Sequence, residues 1–177
     1  MQKMPEKLKI GTRGSPLALY QANLVRSLLL ERHPALNINI EIIKTSGDWD
    51  PSHGEKPLSA EDGGKGLFAK EIERALQNGN IDIAVHSMKD MESYLPEGMV
   101  IPWVLPREDA RDALICGRVA NNIQKMTDLP SGCSVGTSSV RRAAFLKNMR
   151  NDIQVQPFRG NVQTRLDKLK SGQVDAT

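Results

Sequence analysis

The sequence has 177 residues, enough for one large domain or two small ones. Hydrophobic residues make up 39% and charged residues 25%, which excludes a disordered chain. The sequence lacks the run of about 18 apolar residues that would predict a membrane-spanning helix. The net charge of +3 is uneven: residues 141–177 carry 8 basic and 3 acidic side chains, which favours an anionic partner. Aromatic residues are only 4%, so single-stranded nucleic acid is disfavoured. With no secretory signal and only two cysteines, we expect a cytoplasmic protein.

The first half of the chain alternates predicted strands with predicted helices. Ser15-Pro16 is typical of a helix start, because serine caps a helix and proline suits its first turn. Apolar residues follow at helical spacing, namely Leu17, Tyr20, Leu24 and Leu28. A glycine-, serine- and proline-rich loop is predicted over 46–66, and a helix from Phe68 ends at Gly79. The strands of this half are predicted over 8–12, 38–42 and 81–85.

The alternation resumes beyond a stretch near residue 100 that prolines interrupt. Helices are predicted over 139–149 and from an Asn161 cap to a stop at Gly172. Strands are predicted over 113–116, 134–137 and 153–158, and Val174 begins a further β-like segment. This alternation is typical of an α/β fold with largely parallel sheets.

Three predicted strand-to-helix junctions each combine arginine with hydroxyl or amide groups. They contain Arg13 with Ser15, then Thr137 and Ser139 with Arg141 and Arg142, then Arg159 and Asn161 with Arg165. A helix N-terminus offers free N–H groups and partial positive charge, and arginine binds carboxylates through paired hydrogen bonds. Each junction alone is equally well explained by a capped helix with solvated arginines. Their recurrence favours a site for a small polyanion between two lobes.

Two further motifs are less specific. His86-Ser87-Met88-Lys89-Asp90 directly follows a predicted strand, where ligands of α/β sheets bind. Asp90 there suits a general base or a group that stabilises a cation, and Lys89 suits an anion, although a surface ion pair explains both equally well. Gly63-Gly64-Lys65-Gly66 lacks the spacing of a phosphate-binding loop and is better explained as a flexible loop. The three histidines have no metal-ligand spacing.

Six stretches together resemble the porphobilinogen deaminase (hydroxymethylbilane synthase) family. They are GTRGSPLAL at 11–19, GGKGLFAKEIE at 63–73, DIAVHSMKD at 82–90, REDARDALI at 107–115, VGTSSVRRAAFL at 135–146 and FRGNVQTRLDKL at 158–169. They occur in the family's order over nearly the whole chain, and three of them, HSMKD, GTSSxRR and RGNVxTR, are jointly specific.

The resemblance implies a transferase that condenses four porphobilinogen molecules into linear hydroxymethylbilane with release of ammonia, in tetrapyrrole (haem) biosynthesis. It implies a two-lobed α/β fold like that of periplasmic binding proteins, with incomplete domains over 1–104 and 105–177. It also implies a monomer with a dipyrromethane cofactor, attached to a cysteine of a third domain beyond this chain. Cys116 and Cys133 do not match that cysteine. The alternative is a non-catalytic binding module for a small polycarboxylate, because a fold alone does not decide function.

The resemblance also implies roles for individual residues, beginning with Asp90 as the catalytic carboxylate. Carboxylate groups of cofactor and substrate would be bound by Arg13, Lys89, Arg141, Arg142, Arg159 and Arg165. Ser15, Thr137 and Ser139 would add hydrogen bonds, and Lys65 would belong to a flexible loop. The chain departs from the family at Met91-Glu92, after the aspartate, and at Glu61-Asp62, before the glycine-rich loop.

Overall fold

The computed structural model describes residues 5–47, 68–117 and 123–177. Most of the predicted 46–66 loop, including Glu61-Asp62 and Lys65, lies outside the described residues. The described chain divides into two compact units. The first unit comprises 5–47 and 68–101, and the second comprises 102–117 and 123–177.

The first unit contains a parallel three-stranded sheet. Its strands are β1 (Lys7–Thr12), β2 (Asn37–Ile42) and β3 (Ile83–Ala84), in the order β2-β1-β3. Ile10 lies opposite Ile40 of β2 and Ile83 of β3, so β1 is central and buried. The three predicted strands are therefore confirmed, the third in shorter form.

Helix α1 (Pro16–Arg32) begins where the sequence predicts it. The Ser15 hydroxyl accepts a hydrogen bond from the Ala18 amide at 3.3 Å, and Pro16 fills the first helical position. Its buried face carries Ala22, which belongs to the core formed with Ile10. The regularly spaced apolar residues lie on another face and are 38–65% exposed, namely Leu17, Tyr20, Leu24 and Leu28. The spacing thus predicts the helix but not its buried face, because the small Ala22 side chain is the one buried in the core.

Helix α2 (Lys70–Gln77) completes the first unit. It ends at Gln77 with Asn78 as its C-cap residue, and the Gly79 that follows adopts a φ of 69°, a left-handed conformation that favours glycine. The predicted end of this helix is confirmed.

The second unit contains a sheet assembled from distant parts of the chain. Strands β4 (Ser134–Gly136) and β5 (Gln154–Gln156) pair in parallel. On the other side of β4, Ala176 bridges Val135 in parallel and Cys116 in antiparallel orientation. The strand predicted over 113–116 is reduced to a bridge at Cys116, whose hydrogen-bonding partner segment is 175–177.

Two capped helices flank this sheet. Helix α3 (Val140–Met149) is capped by Ser139, and helix α4 (Val162–Lys170) is capped by Asn161. Both caps confirm the predictions. Phe158, fully buried after β5, packs so closely on β4 that a Cβ atom at Gly136 would lie 2.6 Å from its ring. No helix in the described parts of the chain is long and apolar enough to cross a membrane.

Candidate functional site

Arg13 of the first unit lies between an aromatic ring and a carboxylate. Its guanidinium carbon is 4.0 Å from the centre of the Phe68 ring, within cation–π distance. Its Nη1 atom is 3.8 Å from Oδ2 of Asp90, and the two side chains are only 19% and 20% exposed. The interpretation of Arg13 as a solvated arginine is therefore wrong. The fold brings together two residues of separate motifs that the sequence singles out.

Asp90 lies at the end of a short 3₁₀ helix (Met88–Asp90) that follows β3. The Ser87 hydroxyl, directly before this turn, hydrogen-bonds to the side-chain oxygen of Gln21 on α1 at 3.0 Å. Since Ser87 is held by α1, the turn that carries Asp90 is anchored to the helix that begins at the Arg13 junction. Lys89, on the same turn, is exposed.

His86 is a third titratable residue that interacts electrostatically with Asp90 and Arg13. Burial lowers the pKa of its imidazole below the ordinary value of 6.5. The negative charge of Asp90 opposes this shift in pKa, and the positive charge of Arg13 adds to it. His86 is therefore held neutral at neutral pH, beside an arginine and a carboxylate.

Hydroxyl groups order the junction between β4 and α3 in the second unit. The Thr137 hydroxyl accepts from the Ser139 amide at 3.1 Å, and the Ser139 hydroxyl accepts from the Arg142 amide at 3.3 Å. The Ser138 hydroxyl donates to the carbonyl of Phe158 at 2.5 Å, which ties this junction to the one after β5. The two predicted junctions of this unit are therefore adjacent.

Arg142 and Asp112 form a two-point contact at the same junction. Nε of Arg142 donates to Oδ2 of Asp112 at 3.2 Å, and Nη2 donates to Oδ1 at 2.5 Å. The Arg142 and Asp112 side chains are 49% and 58% exposed, and the neighbouring Arg141 is exposed as well. One arginine of the pair is thus held by a carboxylate 30 residues away in the chain.

The junction between β5 and α4 is held by cations of its own helix. Arg159 is only 6% exposed, and its carbonyl accepts from Nζ of Lys168 at 3.0 Å. The next carbonyl, of Gly160, accepts from Nε of Arg165 at 2.7 Å. Two cations of α4, Lys168 and Arg165, are therefore tied to the backbone of residues 159 and 160. That Arg159 and Arg165 face the same cleft stays a prediction.

Three residues to which the sequence analysis assigns no role contact residues of the predicted motifs. Phe68, Gln21 and Asp112 contact Arg13, Ser87 and Arg142, respectively. Asp112 lies in the REDARDALI stretch, which the resemblance picks out without implying a role for Asp112. Phe68 lies in the GGKGLFAKEIE stretch in the same way, whereas Gln21 carries no such signal, because an amide on a helix is more often ordinary packing.

The described residues can bind anions through their cationic side chains and can serve in acid–base catalysis. In the described segments, no group of three or more His, Cys, Asp or Glu side chains could hold a metal ion. Cys133 is buried in the core and Cys116 packs against it. Burial raises the pKa of both thiols, which disfavours the reactive thiolate.

Comparison with known proteins decides the family. A family model described as "Porphobilinogen deaminase, dipyromethane cofactor binding domain" matches residues 8–177. The chain belongs to this family. It is 52% identical over 174 residues to a "Porphobilinogen deaminase, chloroplastic" of Oryza sativa subsp. japonica, covering 96% of this chain and 46% of that relative. It is 50% identical over 171 residues to a "Porphobilinogen deaminase" of Geobacter sp. (strain M21), covering 97% of this chain and 51% of that relative.

The resemblance seen in the motifs is thus confirmed, and the chain spans about half the length of the two relatives. The donor groups of this chain also fit the dipyrromethane cofactor of the family, whose pyrroles carry carboxylates. Exposed Arg141 and Arg142 follow a capped helix start, where carboxylates are stabilised by guanidinium groups and by the helix dipole.

Proposed function

We propose that this chain supplies carboxylate-binding and acid–base groups to an enzyme that condenses four porphobilinogen molecules into linear hydroxymethylbilane, releasing ammonia, in tetrapyrrole (haem) biosynthesis. The observation that carries the proposal is Asp90, largely shielded and 3.8 Å from Arg13, at the end of the HSMKD turn in a chain of this family. A shielded carboxylate interacts more strongly with nearby charge than an exposed one.

Arginine and lysine side chains bind the carboxylates of substrate and cofactor in this proposal. The bound dipyrromethane, when present, supplies the pyrrole to which the growing chain is joined. The cations that would hold these groups are Arg13, Lys89, Arg141, Arg142, Arg159 and Arg165. Ser15, Thr137 and Ser139 order the helix starts beside them, and their hydroxyls would add hydrogen bonds to the ligands.

Asp90 performs the electrostatic part of the reaction in this proposal. Loss of ammonia from porphobilinogen leaves positive charge on the pyrrole and its methylene carbon. The Asp90 carboxylate stabilises that charge by accepting a hydrogen bond from the pyrrole N–H. Once the methylene carbon has bonded to the attacking pyrrole carbon, Asp90 serves as the base for the proton that this carbon must lose. Arg13 holds the substrate carboxylate beside Asp90, so binding and charge stabilisation involve neighbouring groups.

The wider architecture is proposed by the same family relationship. We propose a two-lobed fold like that of periplasmic binding proteins, with lobes over 1–104 and 105–177, and the two compact units support this. The cysteine that attaches the cofactor is proposed to lie in a third domain outside these 177 residues, since both relatives are about twice as long. A cytoplasmic monomer that binds neither nucleic acid nor membrane completes the proposal.

The test is Asp90→Asn in the full-length protein, which removes the charge but preserves the shape of the side chain. Turnover of porphobilinogen falls about a hundred- to ten-thousandfold, the usual contribution of a positioned acid–base group. Binding of porphobilinogen stays within about threefold, because the cations remain. Asp167 is exposed, and its carboxylate accepts a hydrogen bond from Gln163 of the same helix, so Asp167→Asn is the matched control with full turnover.

Near-normal turnover by Asp90→Asn would overturn the assignment of Asp90. Tight binding of porphobilinogen with no turnover by the unaltered full-length protein would instead favour the non-catalytic polycarboxylate-binding module.

A further inference from the structure

The REDARDALI stretch has no part in the proposed reaction, yet one of its residues contacts the carboxylate-binding machinery. Asp112 binds Arg142 through two hydrogen bonds, from Nε and from Nη2. The backbone amide of Arg142 is at the same time held by the Ser139 hydroxyl. Both ends of the Arg142 residue, backbone and guanidinium, are therefore fixed by side chains from other positions.

The geometry of the contact leaves room for a second carboxylate on the same guanidinium. A guanidinium group has five N–H donors arranged in a plane, and a carboxylate uses one edge of it. Asp112 uses the edge formed by Nε and Nη2 and does not contact Nη1. The end-on edge, formed by Nη1 and the second hydrogen of Nη2, is oriented by this pairing and can bind a ligand carboxylate in two-point fashion.

We infer that Asp112 is a positioning residue, which orients Arg142 so that its end-on edge binds a carboxylate of porphobilinogen. The inference rests on the proposed function, in which Arg142 binds ligand carboxylates. The contribution is modest, because the pair is half exposed and water and salt screen it. A long side chain at a helix start otherwise adopts many rotamers, and ordering it before the ligand arrives lowers the entropy lost on binding.

The segment contains a matched control for this pair. Asp109 also contacts Nε and Nη2 of an arginine, Arg111, and accepts from the Arg111 backbone amide as well; this pair is likewise exposed. Arg111 belongs to none of the groups assigned to the ligand. Asp109→Asn and Asp112→Asn therefore make the same charge change, three residues apart, at two pairs of the same kind.

The experiment measures porphobilinogen binding calorimetrically in the full-length protein, together with KM and kcat. Asp112→Asn weakens binding and raises KM about two- to fivefold, the range that an exposed ion pair supports, while kcat stays within about twofold. Asp109→Asn changes neither quantity. The Asp112→Asn effect shrinks at high salt, because screening already weakens the pair in the unaltered protein.

A double-mutant cycle separates positioning from a direct effect of the Asp112 charge. Arg142→Met weakens binding more than Asp112→Asn does, and adding Asp112→Asn to Arg142→Met causes no further loss. An additive loss in the double variant would overturn the inference, since Asp112 would then act independently of Arg142. Tighter binding by Asp112→Asn would also overturn it, because Asp112 would then compete with the ligand carboxylate.

The same cycle distinguishes failure of the inference from failure of the proposed function. If Arg142→Met weakens binding and Asp112→Asn does not, only the positioning role is overturned. If Arg142→Met leaves binding unchanged, the assignment of Arg142 to the ligand is overturned, and the positioning role with it.

Discussion

Arg13 and Arg142 both lie near a hydroxyl-capped helix start after a parallel strand, but their surroundings differ. The Arg13 side chain is 19% exposed, packs on the Phe68 ring and lies 3.8 Å from Asp90. The Arg142 side chain is 49% exposed and contacts the exposed carboxylate of Asp112. The same local motif thus provides a shielded guanidinium in one unit and a solvated one in the other.

The difference separates two tasks that an arginine can perform. A shielded guanidinium interacts strongly with a nearby carboxylate, because little water screens the pair, and it suits the place where charge changes during a reaction. A solvated guanidinium exchanges partners at low cost, which suits the capture and release of ligand carboxylates. Four predictions sharpen this contrast.

The largest effect is expected for Arg13→Lys in the full-length protein. Lysine retains the charge but lacks the planar group that stacks on Phe68 while reaching Asp90, so we expect kcat/KM for porphobilinogen to fall about a hundredfold. Arg111→Lys, at an exposed arginine outside the site, provides the control with unchanged kcat/KM. Equal kcat/KM for Arg13→Lys and the unaltered protein would remove the distinction between shielded and solvated arginines.

Gly136→Ala tests whether the packing of Phe158 on β4, beside the exposed junction of the second unit, is rigid. The added Cβ atom would lie 2.6 Å from the fully buried Phe158 ring, so we expect the free energy of unfolding to fall by about 1–3 kcal/mol. Denaturant unfolding measures it. Phe158→Ala in the same chain removes Cγ and Cδ1, two of the three atoms nearest to the added methyl group, and the double variant should lose less stability than the two single variants together. Additive losses would show that the clash is relieved elsewhere.

Ser15→Ala and Ser139→Ala compare the helix caps of the two junctions. Each removes a side-chain acceptor for a helix amide and should lower the free energy of unfolding by about 1 kcal/mol, whichever arginine is shielded. Ser15→Asp and Ser139→Asp keep a capping oxygen but add a negative charge. We expect these two variants to unfold like the unaltered protein and to bind porphobilinogen more weakly. Unchanged binding would exclude both helix starts from the carboxylate site.

The smallest effect concerns His86, beside the shielded arginine. Because burial lowers the pKa of His86 in the folded protein, the unfolded chain takes up the proton first as the pH falls below the ordinary value of 6.5. The free energy of unfolding therefore decreases with falling pH in that window. Denaturant unfolding at a series of pH values measures the slope of the free energy of unfolding against pH. His86→Asn should reduce this slope by the equivalent of less than one bound proton. An unchanged slope would show that His86 is protonated equally in both states.

The sequence predicts elements here better than it predicts contacts. Ser15, Ser139 and Asn161 cap helices where their neighbours indicate, because capping is decided within a few residues. Helical spacing, by contrast, predicts α1 but not which of its faces is buried.

The contacts that distinguish the two arginines are not predictable from local sequence. Phe68 and Asp112 meet their arginines only after distant segments fold together, and neither residue has a local pattern that indicates its partner. The family motifs imply a role for Arg13 and a role for Asp90 separately, and only the fold shows that the two side chains lie close together.

The position of Ala176 in the second sheet has a consequence for synthesis on the ribosome. Residues 175–177 lie between β4 and the segment around Cys116, with hydrogen bonds to both. This inner segment of the sheet is therefore synthesised after the segments on both sides of it. A nascent chain that has exposed β4 and β5 still has an unpaired edge on β4, and the Cys116 segment still lacks its hydrogen-bonding partner. Pairing waits until about 20 further residues emerge, which takes roughly 1–4 seconds at ordinary elongation rates. During that interval the open edge is available to other nascent strands, so its protection depends on the speed of translation.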